Sequence, residues 1–320
     1  MNRTLITGYS GFVGGHLLNA LGSLENVNLL GRTTPPKCRR YLKASIEPNS
    51  NYSSVLQDVD VVVHIAARVH VMSDTTENPL EEFRLVNTAG TLNLARQAVE
   101  SGVKRFVFVS SIKVNGESTT DKPAFNATDK PNPEDPYGIS KAEAEKQLLA
   151  LGDETGMEVV IIRPPLVYGK GVKGNFASLM GLVDKGVPLP FGLINENKRS
   201  LVSVYNLVDL IKVCIDHPKA VGQVFLVSDG HDVSTTQMVY QMANALGKSN
   251  WQLPIPIWCY SLAGKLFNKA LIVDRLTGSL QVDITHTKNT LDWTPPQTLN
   301  VGFKETANSF QKSQKNGSDI

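Results

Sequence analysis

Short apolar runs recur through the first half of the chain, at Leu5-Ile6, Val27 to Leu30, Val61 to Ile65, Arg105 to Val109 and Val159 to Ile162. Each has the length of a strand buried on both faces and none alternates cleanly with polar residues. Between them lie segments with helical spacing of apolar positions, clearest from Leu80 to Glu100 and from Ser140 to Ala150. Strand and helix in alternation predict an α/β fold, a doubly wound parallel sheet covered by helices on both faces. The second half is less regular. Pro and Gly interrupt it at Lys185 to Pro190, Leu253 to Pro256 and Trp293 to Pro296, which predicts a smaller mixed α/β lobe. The expected division is 1–170 for the larger unit, with some later segments returning to it, and 171–320 mainly for the lobe. The polar segment Ser118 to Glu134 reads as a long surface loop beside the active site. The apolar stretch Leu253 to Phe267 is broken by Pro254, Pro256 and Lys265 and reads as a buried helix.

Composition narrows this picture. Apolar residues make up 41% of the 320 residues and charged residues 19%, so a sizeable core is available. A net charge of +2 implies neither nucleic acid nor an anionic membrane as partner. Cys38, Cys214 and Cys259 are widely spaced, without a Cys-x-x-Cys, so the expectation is reduced thiols with no disulfide framework and no metal site. No apolar run reaches spanning length, and Met1 leads directly into a strand-like segment, so a cytoplasmic location is expected.

Two motifs carry chemistry. Thr7-Gly-Tyr-Ser-Gly-Phe-Val-Gly14 follows the first strand and opens a helix. Gly8 permits a tight turn, Gly11 lets backbone approach a pyrophosphate, and Gly14 lets the helix pack closely on the sheet. The second strand ends Leu29-Leu30-Gly31-Arg32, without the carboxylate that holds both ribose hydroxyls of NAD. Arg32 suits bidentate contact with a 2′-phosphate, so NADP is favoured and NAD is the alternative. Arg39 and Arg40 are weaker candidates for the same phosphate. Ala66 and Ala67 end a buried strand with small side chains that leave room for a cofactor. His64 within that run reads as a core histidine, and His70 beyond it could face the site. The second motif is Tyr137 with Lys141, one helical turn apart in Pro136-Tyr-Gly-Ile-Ser-Lys141. A nearby ammonium favours the phenolate and brings tyrosine toward useful base strength. Asp135-Pro136 suits the start of that helix. The strand end Ser110-Ser111 offers a hydroxyl to orient the reacting oxygen.

These pieces, with His64-Ile-Ala-Ala67, Asn87-Thr-Ala-Gly-Thr91, Val109 to Gly116 and Arg163-Pro-Pro-Leu-Val-Tyr-Gly169, run in the same order as in a known family. The chain resembles an extended short-chain dehydrogenase/reductase of the NAD(P)-dependent epimerase/dehydratase family. That resemblance implies a Rossmann fold, a nucleotide-sugar substrate and a homodimer packed through helices. It implies Ser111, Tyr137 and Lys141 as catalytic residues. Gly8, Gly11, Phe12, Val13, Gly14, Arg32, Ala66, Ala67, Asn87, Tyr137, Lys141 and Pro164 would hold the cofactor. Ser111, Asn175, Leu189, Phe191, Arg199 and Arg275 would hold the substrate, the two arginines on its diphosphate. Asn115 stands where the family pattern has tyrosine.

The reaction is the next choice. Dehydrating relatives place Asp-Glu after the catalytic Ser or Thr, where this chain has Ile112-Lys113, and isoleucine cannot transfer a proton. The segments Ala66 to Met72 and Arg199 to Asp209 resemble bacterial surface-polysaccharide (lipopolysaccharide) enzymes. The expected activity is reduction of a UDP-4-keto-6-deoxy-N-acetylhexosamine. The alternative is a UDP-glucose or UDP-N-acetylglucosamine 4-epimerase. A non-catalytic NADP-binding protein is a third reading, against which the joint presence of Tyr137 and Lys141 argues.

Overall fold

The computed structural model describes residues 2–35, 38–69 and 78–317. The first half runs β1 (Thr4–Thr7), α1 (Phe12–Leu21), β2 (Val27–Gly31), β3 (Arg40–Lys43), α2 (Ser53–Leu56), β4 (Val61–His64), α3 (Pro79–Phe83), α4 (Thr91–Glu100), β5 (Arg105–Val109), α5 (Pro136–Thr155), β6 (Glu158–Arg163) and β7 (Leu166–Tyr168). The second half runs α6 (Gly174–Asp184), β8 (Arg199–Ser203), α7 (Val204–Asp216), β9 (Val224–Leu226), β10 (Asp232–Val233), α8 (Thr235–Leu246), α9 (Ile257–Leu266), α10 (Ala270–Thr277), α11 (Thr285–Leu291) and α12 (Leu299–Gly317).

Seven strands form one sheet in the order β3-β2-β1-β4-β5-β6-β9, and every adjacent pair in it is parallel. The reason lies in the apolar runs. Alternate residues of a strand point to opposite faces, and here both sets are apolar. Ile6, Leu29, Val63, Val107 and Ile162 enter one core, while Leu5, Leu30, Val62, Phe106 and Ile161 enter the other. A sheet buried on both faces in this way needs helices on both, and the doubly wound fold supplies them. β9 comes from the second half and closes the edge beside β6. The lobe carries a mixed three-stranded sheet, β10-β8-β7, over a core that includes Tyr168, Phe176, Met180, Leu201 and Phe303.

The predicted helix 80–100 is helical from Pro79 to Glu100, but Arg84–Gly90 within it is wound as a π-helix. The segment 118–134 is largely exposed, yet it is pinned. Thr119 N donates to Ser279 O at 2.8 Å and Phe125 N to Gln281 O at 2.9 Å. The expectation of a buried helix in 253–267 is corrected. Gly264 is the only buried residue of α9, seated where an added Cβ would lie 2.9 Å from Val273 of α10. Trp258 and Leu266 stay 67% and 76% exposed. The apolar composition there reflects a surface rather than a core. Among the described residues no helix is long and apolar enough to cross a membrane.

Candidate active site

The glycine turn sits between β1 and α1. Gly8 has φ +70°, and a Cβ there would lie 2.6 Å from the backbone nitrogen of Ala66, so only glycine fits the turn beside the end of β4. A Cβ on Gly14 would run into the Gly8 carbonyl. Gly11 N donates to Gly8 O at 3.0 Å, and no side chain caps α1. The first N–H groups of α1, at Phe12 and Val13, therefore lack a side-chain partner, which suits an anion. These features fit the pyrophosphate of a nicotinamide dinucleotide.

Behind the turn lies a buried chain that sequence reasoning recognised only in part. The Thr7 hydroxyl oxygen accepts from the N–H groups of Ile65 and Ala66, both at 3.2 Å, leaving its proton for His64 Nδ1 at 2.7 Å. His64 Nε2 then donates to Thr91 Oγ1 at 2.9 Å. Burial, with the Lys141 charge adding to it, pushes His64 down to about 3. It is a neutral core histidine that locks β1, β4 and α4 together. His70, the other histidine considered, lies outside the described residues.

At the end of β2 the candidate arginines divide. Arg32 is exposed and makes no hydrogen bond or ion pair among the described residues. Arg39 and Arg40 both pair with Asp58, at 3.1 and 3.5 Å, so the two weaker phosphate candidates are engaged elsewhere. The hydroxyls of Tyr9 and Tyr41 both donate to the Thr33 carbonyl, and Gly31 is needed because a Cβ would lie 2.7 Å from the Tyr9 ring.

α5 brings Tyr137 and Lys141 to the end of β5. Asp135 caps it, its Oδ1 accepting from Gly138 N at 2.7 Å, and Pro136 opens its first turn. Asp135 is desolvated, which alone would raise its carboxyl. The Lys113 ammonium and the Gly138 N–H outweigh this and hold it below the usual range. Tyr137 is half-buried. Burial raises its phenol above the ordinary value, the Asp135 charge adds to this, and the Ser111 hydroxyl opposes it. Lys141 is engaged elsewhere. It is buried, its Nζ donates to Val109 O at 2.8 Å, and it lies 4.0 Å from the centre of the Phe108 ring. Burial brings it down to about 7, against a smaller upward pull from Glu145. The protein's own groups thus leave Tyr137 a protonated phenol, contrary to the expectation that Lys141 lowers it.

Ser111 follows β5 two residues beyond Val109 and caps the short 3-10 turn Ile112–Val114. Pro164 holds this turn, its carbonyl accepting from Ile112 N at 3.0 Å. Ile112 is buried against Leu226, Val282 and Ile284. Lys113 is engaged by Glu117, at 2.8 Å, and by Asp135. Asn87 lies in the π-helical stretch with its amide fully used. Its Oδ1 accepts from Arg68 N at 2.8 Å, and its Nδ2 donates to Arg68 O and to Ser140 Oγ, both at 3.0 Å. It clamps the chain after Ala66 and Ala67 onto α5.

Beneath these groups lies a network that the sequence reading missed. Glu145 accepts from Ser110 Oγ and from Arg163, whose Nε lies 3.0 Å from Oε1. Arg163 Nη1 donates to Asn115 Oδ1 at 2.9 Å, and Asn115 Nδ2 to Asn126 O at 3.1 Å. Glu145 and Arg163 are only 3% and 4% exposed. Asn115, in place of the family's tyrosine, therefore works inward as an anchor. The hint was a glutamate one turn beyond Lys141 on the same helix, on a face otherwise buried.

The substrate candidates divide. Arg199 Nη1 donates to the backbone carbonyls of Arg275 and Gly278, at 2.8 and 3.2 Å. Burial lowers its pKa and the Arg275 charge lowers it further, against Glu117. Arg199 is thus anchored on the backbone of the helix that carries Arg275, whose own side chain is exposed. Asn175 is exposed in the first turn of α6. Leu189 is buried in the lobe core, with backbone hydrogen bonds to Trp251 and Leu253, and Phe191 is half-buried against that core. Among the described residues no group of three His, Cys, Asp or Glu could hold a metal ion.

A parallel sheet with a glycine turn at one strand end, and a Tyr/Lys helix beside a serine at another, defines a dinucleotide-dependent enzyme of the short-chain dehydrogenase type. Residues 4–228 match the NAD dependent epimerase/dehydratase family, and the chain belongs to it. It is 59% identical to a UDP-glucose 4-epimerase of Vibrio cholerae over 96% of this chain and 94% of that protein. It is 26% identical to the N-acetyl-alpha-D-glucosaminyl-diphospho-ditrans,octacis-undecaprenol 4-epimerase of Escherichia coli O157:H7, over 95% and 94% of the two chains. In fold it is similar to the UDP-glucose 4-epimerase of Thermotoga maritima with UDP-glucose, with a TM-score of 0.76 and 23% identity over 97% and 99% of the two chains.

Proposed function

We propose that the protein is a UDP-hexose 4-epimerase, acting on UDP-glucose or UDP-N-acetylglucosamine. The observation that carries this is the 59% identity to a UDP-glucose 4-epimerase across 96% of the chain, joined to an intact Ser111, Tyr137 and Lys141. The relatives favour this alternative over the 4-keto reduction that the sequence reading put first. Dehydration is disfavoured by Ile112, which is buried among apolar side chains, and by Lys113, which is held in ion pairs.

A nicotinamide dinucleotide bound at the glycine turn supplies a hydride acceptor and donor and, when oxidised, a positive charge. Gly8, Gly11 and Gly14 with the N–H groups opening α1 would hold its pyrophosphate. Oxidation at C4 of the sugar frees the proton on O4, which needs a base beside it. Tyr137 takes that proton, and Ser111 orients O4 by a hydrogen bond. Because burial keeps the free phenol protonated, positive charge beside Tyr137 is what makes it a base. The carbonyl at C4 is planar. When the sugar presents its other face for reduction, Tyr137 gives the proton back to O4 and C4 is inverted. Arg199 and Arg275 hold the diphosphate meanwhile. Oxidation and reduction at C4 cancel, so no external reductant is consumed, and NAD is the cofactor we assign.

The test gives purified protein UDP-glucose and, separately, UDP-N-acetylglucosamine, and follows the H3–H4 coupling by proton NMR. The C4 epimer of one or both should accumulate without net use of NAD(P)H. Consumption of NADPH with a UDP-4-keto-6-deoxy sugar, with no epimer from either parent sugar, would return the assignment to the reductase.

A further inference from the structure

The α9–α10 hairpin exposes apolar side chains that the rest of the fold would bury. Trp258, Leu262 and Leu266 are four residues apart, so they line one face of α9, and they are 67%, 60% and 76% exposed. Phe267 at 68% and Ile272 at 52% continue the surface, with Trp251 at 61% just before it. The two helices pack on each other through Gly264 and Val273, which turns these side chains outward. The exposed apolar area is on the order of several hundred Å², at or beyond the upper range for a monomer's largest patch.

Charge says what covers it. Lys265 and Lys269 stand exposed at the margin of the patch. From Ser249 to Val273 there is no Asp or Glu, and neither lysine pairs with an acid among the described residues. Contacts between proteins are depleted of lysine at their centre. A helix with Trp, Leu and Phe on one side and lysines at the margin suits the boundary between lipid headgroups and acyl chains. Ten residues, about 15 Å, are too short to span a bilayer and long enough to lie along it.

We propose that the α9–α10 hairpin docks the protein on an anionic lipid surface. Trp258, Leu262, Leu266 and Phe267 enter the acyl boundary, and Lys265 and Lys269 meet lipid phosphates. α10 also carries Arg275, whose carbonyl holds Arg199. Docking therefore keeps the two arginines of the substrate lobe within about one length of α10, ~12 Å, of the headgroups.

The experiment is co-sedimentation of the full chain with vesicles of phosphatidylcholine alone or with phosphatidylglycerol, without any sugar nucleotide, so its outcome does not depend on the epimerase assignment. The protein should pellet with the anionic vesicles and be released by salt. L262E/L266E should bind at least about tenfold more weakly, because two apolar contacts are lost and two repelled charges gained. K265E/K269E should lose about fivefold or more per lysine. Both variants should keep the wild-type circular dichroism spectrum and turnover of soluble UDP-sugar. Wild-type protein left in the supernatant, equal binding to neutral vesicles, or unchanged binding of L262E/L266E would overturn the proposal. So would a dimer that dissociates in L262E/L266E by sedimentation velocity, which would make a second copy the occupant.

Discussion

Removing the Glu145 carboxylate tests the network beneath the reactive helix. Glu145→Ala leaves the Arg163 guanidinium 4% exposed with Asn115 as its remaining side-chain acceptor, and it leaves the Ser110 hydroxyl unpaired. Stranding one member of a buried ion pair costs about 3–5 kcal/mol. That is a large part of the roughly 5–15 kcal/mol that holds an ordinary domain folded. In urea the unfolding midpoint should fall by about 1–2 M, for a slope typical of a protein of this size. Replacing both charges by apolar groups, as in E145L/R163M, removes the uncompensated ion. That variant should recover at least half of the loss even though Asn115 and Ser110 lose partners. Equilibrium unfolding followed by circular dichroism reads all three proteins. A loss below about 1 kcal/mol in Glu145→Ala, far under the range for a stranded buried charge, would refute this account, as would a double variant less stable than the single one.

Tyr137→Phe should leave folding and cofactor binding nearly intact while turnover falls by about 10²-fold or more, measured in the NMR assay. Near-normal turnover would remove Tyr137 from its proposed role. Arg32→Ala should leave NAD binding within about twofold, because NAD carries no 2′-phosphate for the exposed guanidinium to meet, and titration calorimetry checks this. Lys141 sits at about 7 when folded, against 10.5 in a free side chain. Between those values the unfolded chain holds a proton that the folded chain lacks, so stability rises with pH through that window, by up to about 1.4 kcal/mol per pH unit. Lys141→Met should flatten the rise seen in urea unfolding between about pH 7.5 and 9.5. A wild-type slope that persists in the variant would show that other groups cause it.

Much of this protein is fixed by patterns within a few residues of one another. The doubly apolar strand runs specify a sheet buried on both faces. The spacing of Gly8, Gly11 and Gly14 specifies a turn that opens a helix. Tyr137 and Lys141 share a face because a helix turns once in about four residues. Tertiary structure decided what depends on distant partners. Asn87 resembles a cofactor residue in its motif and Asn115 stands where the family pattern has tyrosine, but their amides are spent on Arg68, Ser140 and Arg163. Lys141 belongs to the reactive pair by spacing, yet its ammonium turns to the Val109 carbonyl and burial, rather than Tyr137, sets its charge. Glu145 and Arg163 lie 18 positions apart and meet because β6 runs beside β5 under α5. The apolar stretch around Trp258 has the composition of a core helix, and composition cannot say which side faces the body. That was settled by Gly264, where an added Cβ would meet Val273 of α10 at 2.9 Å, and the opposite face of α9 was left in solvent.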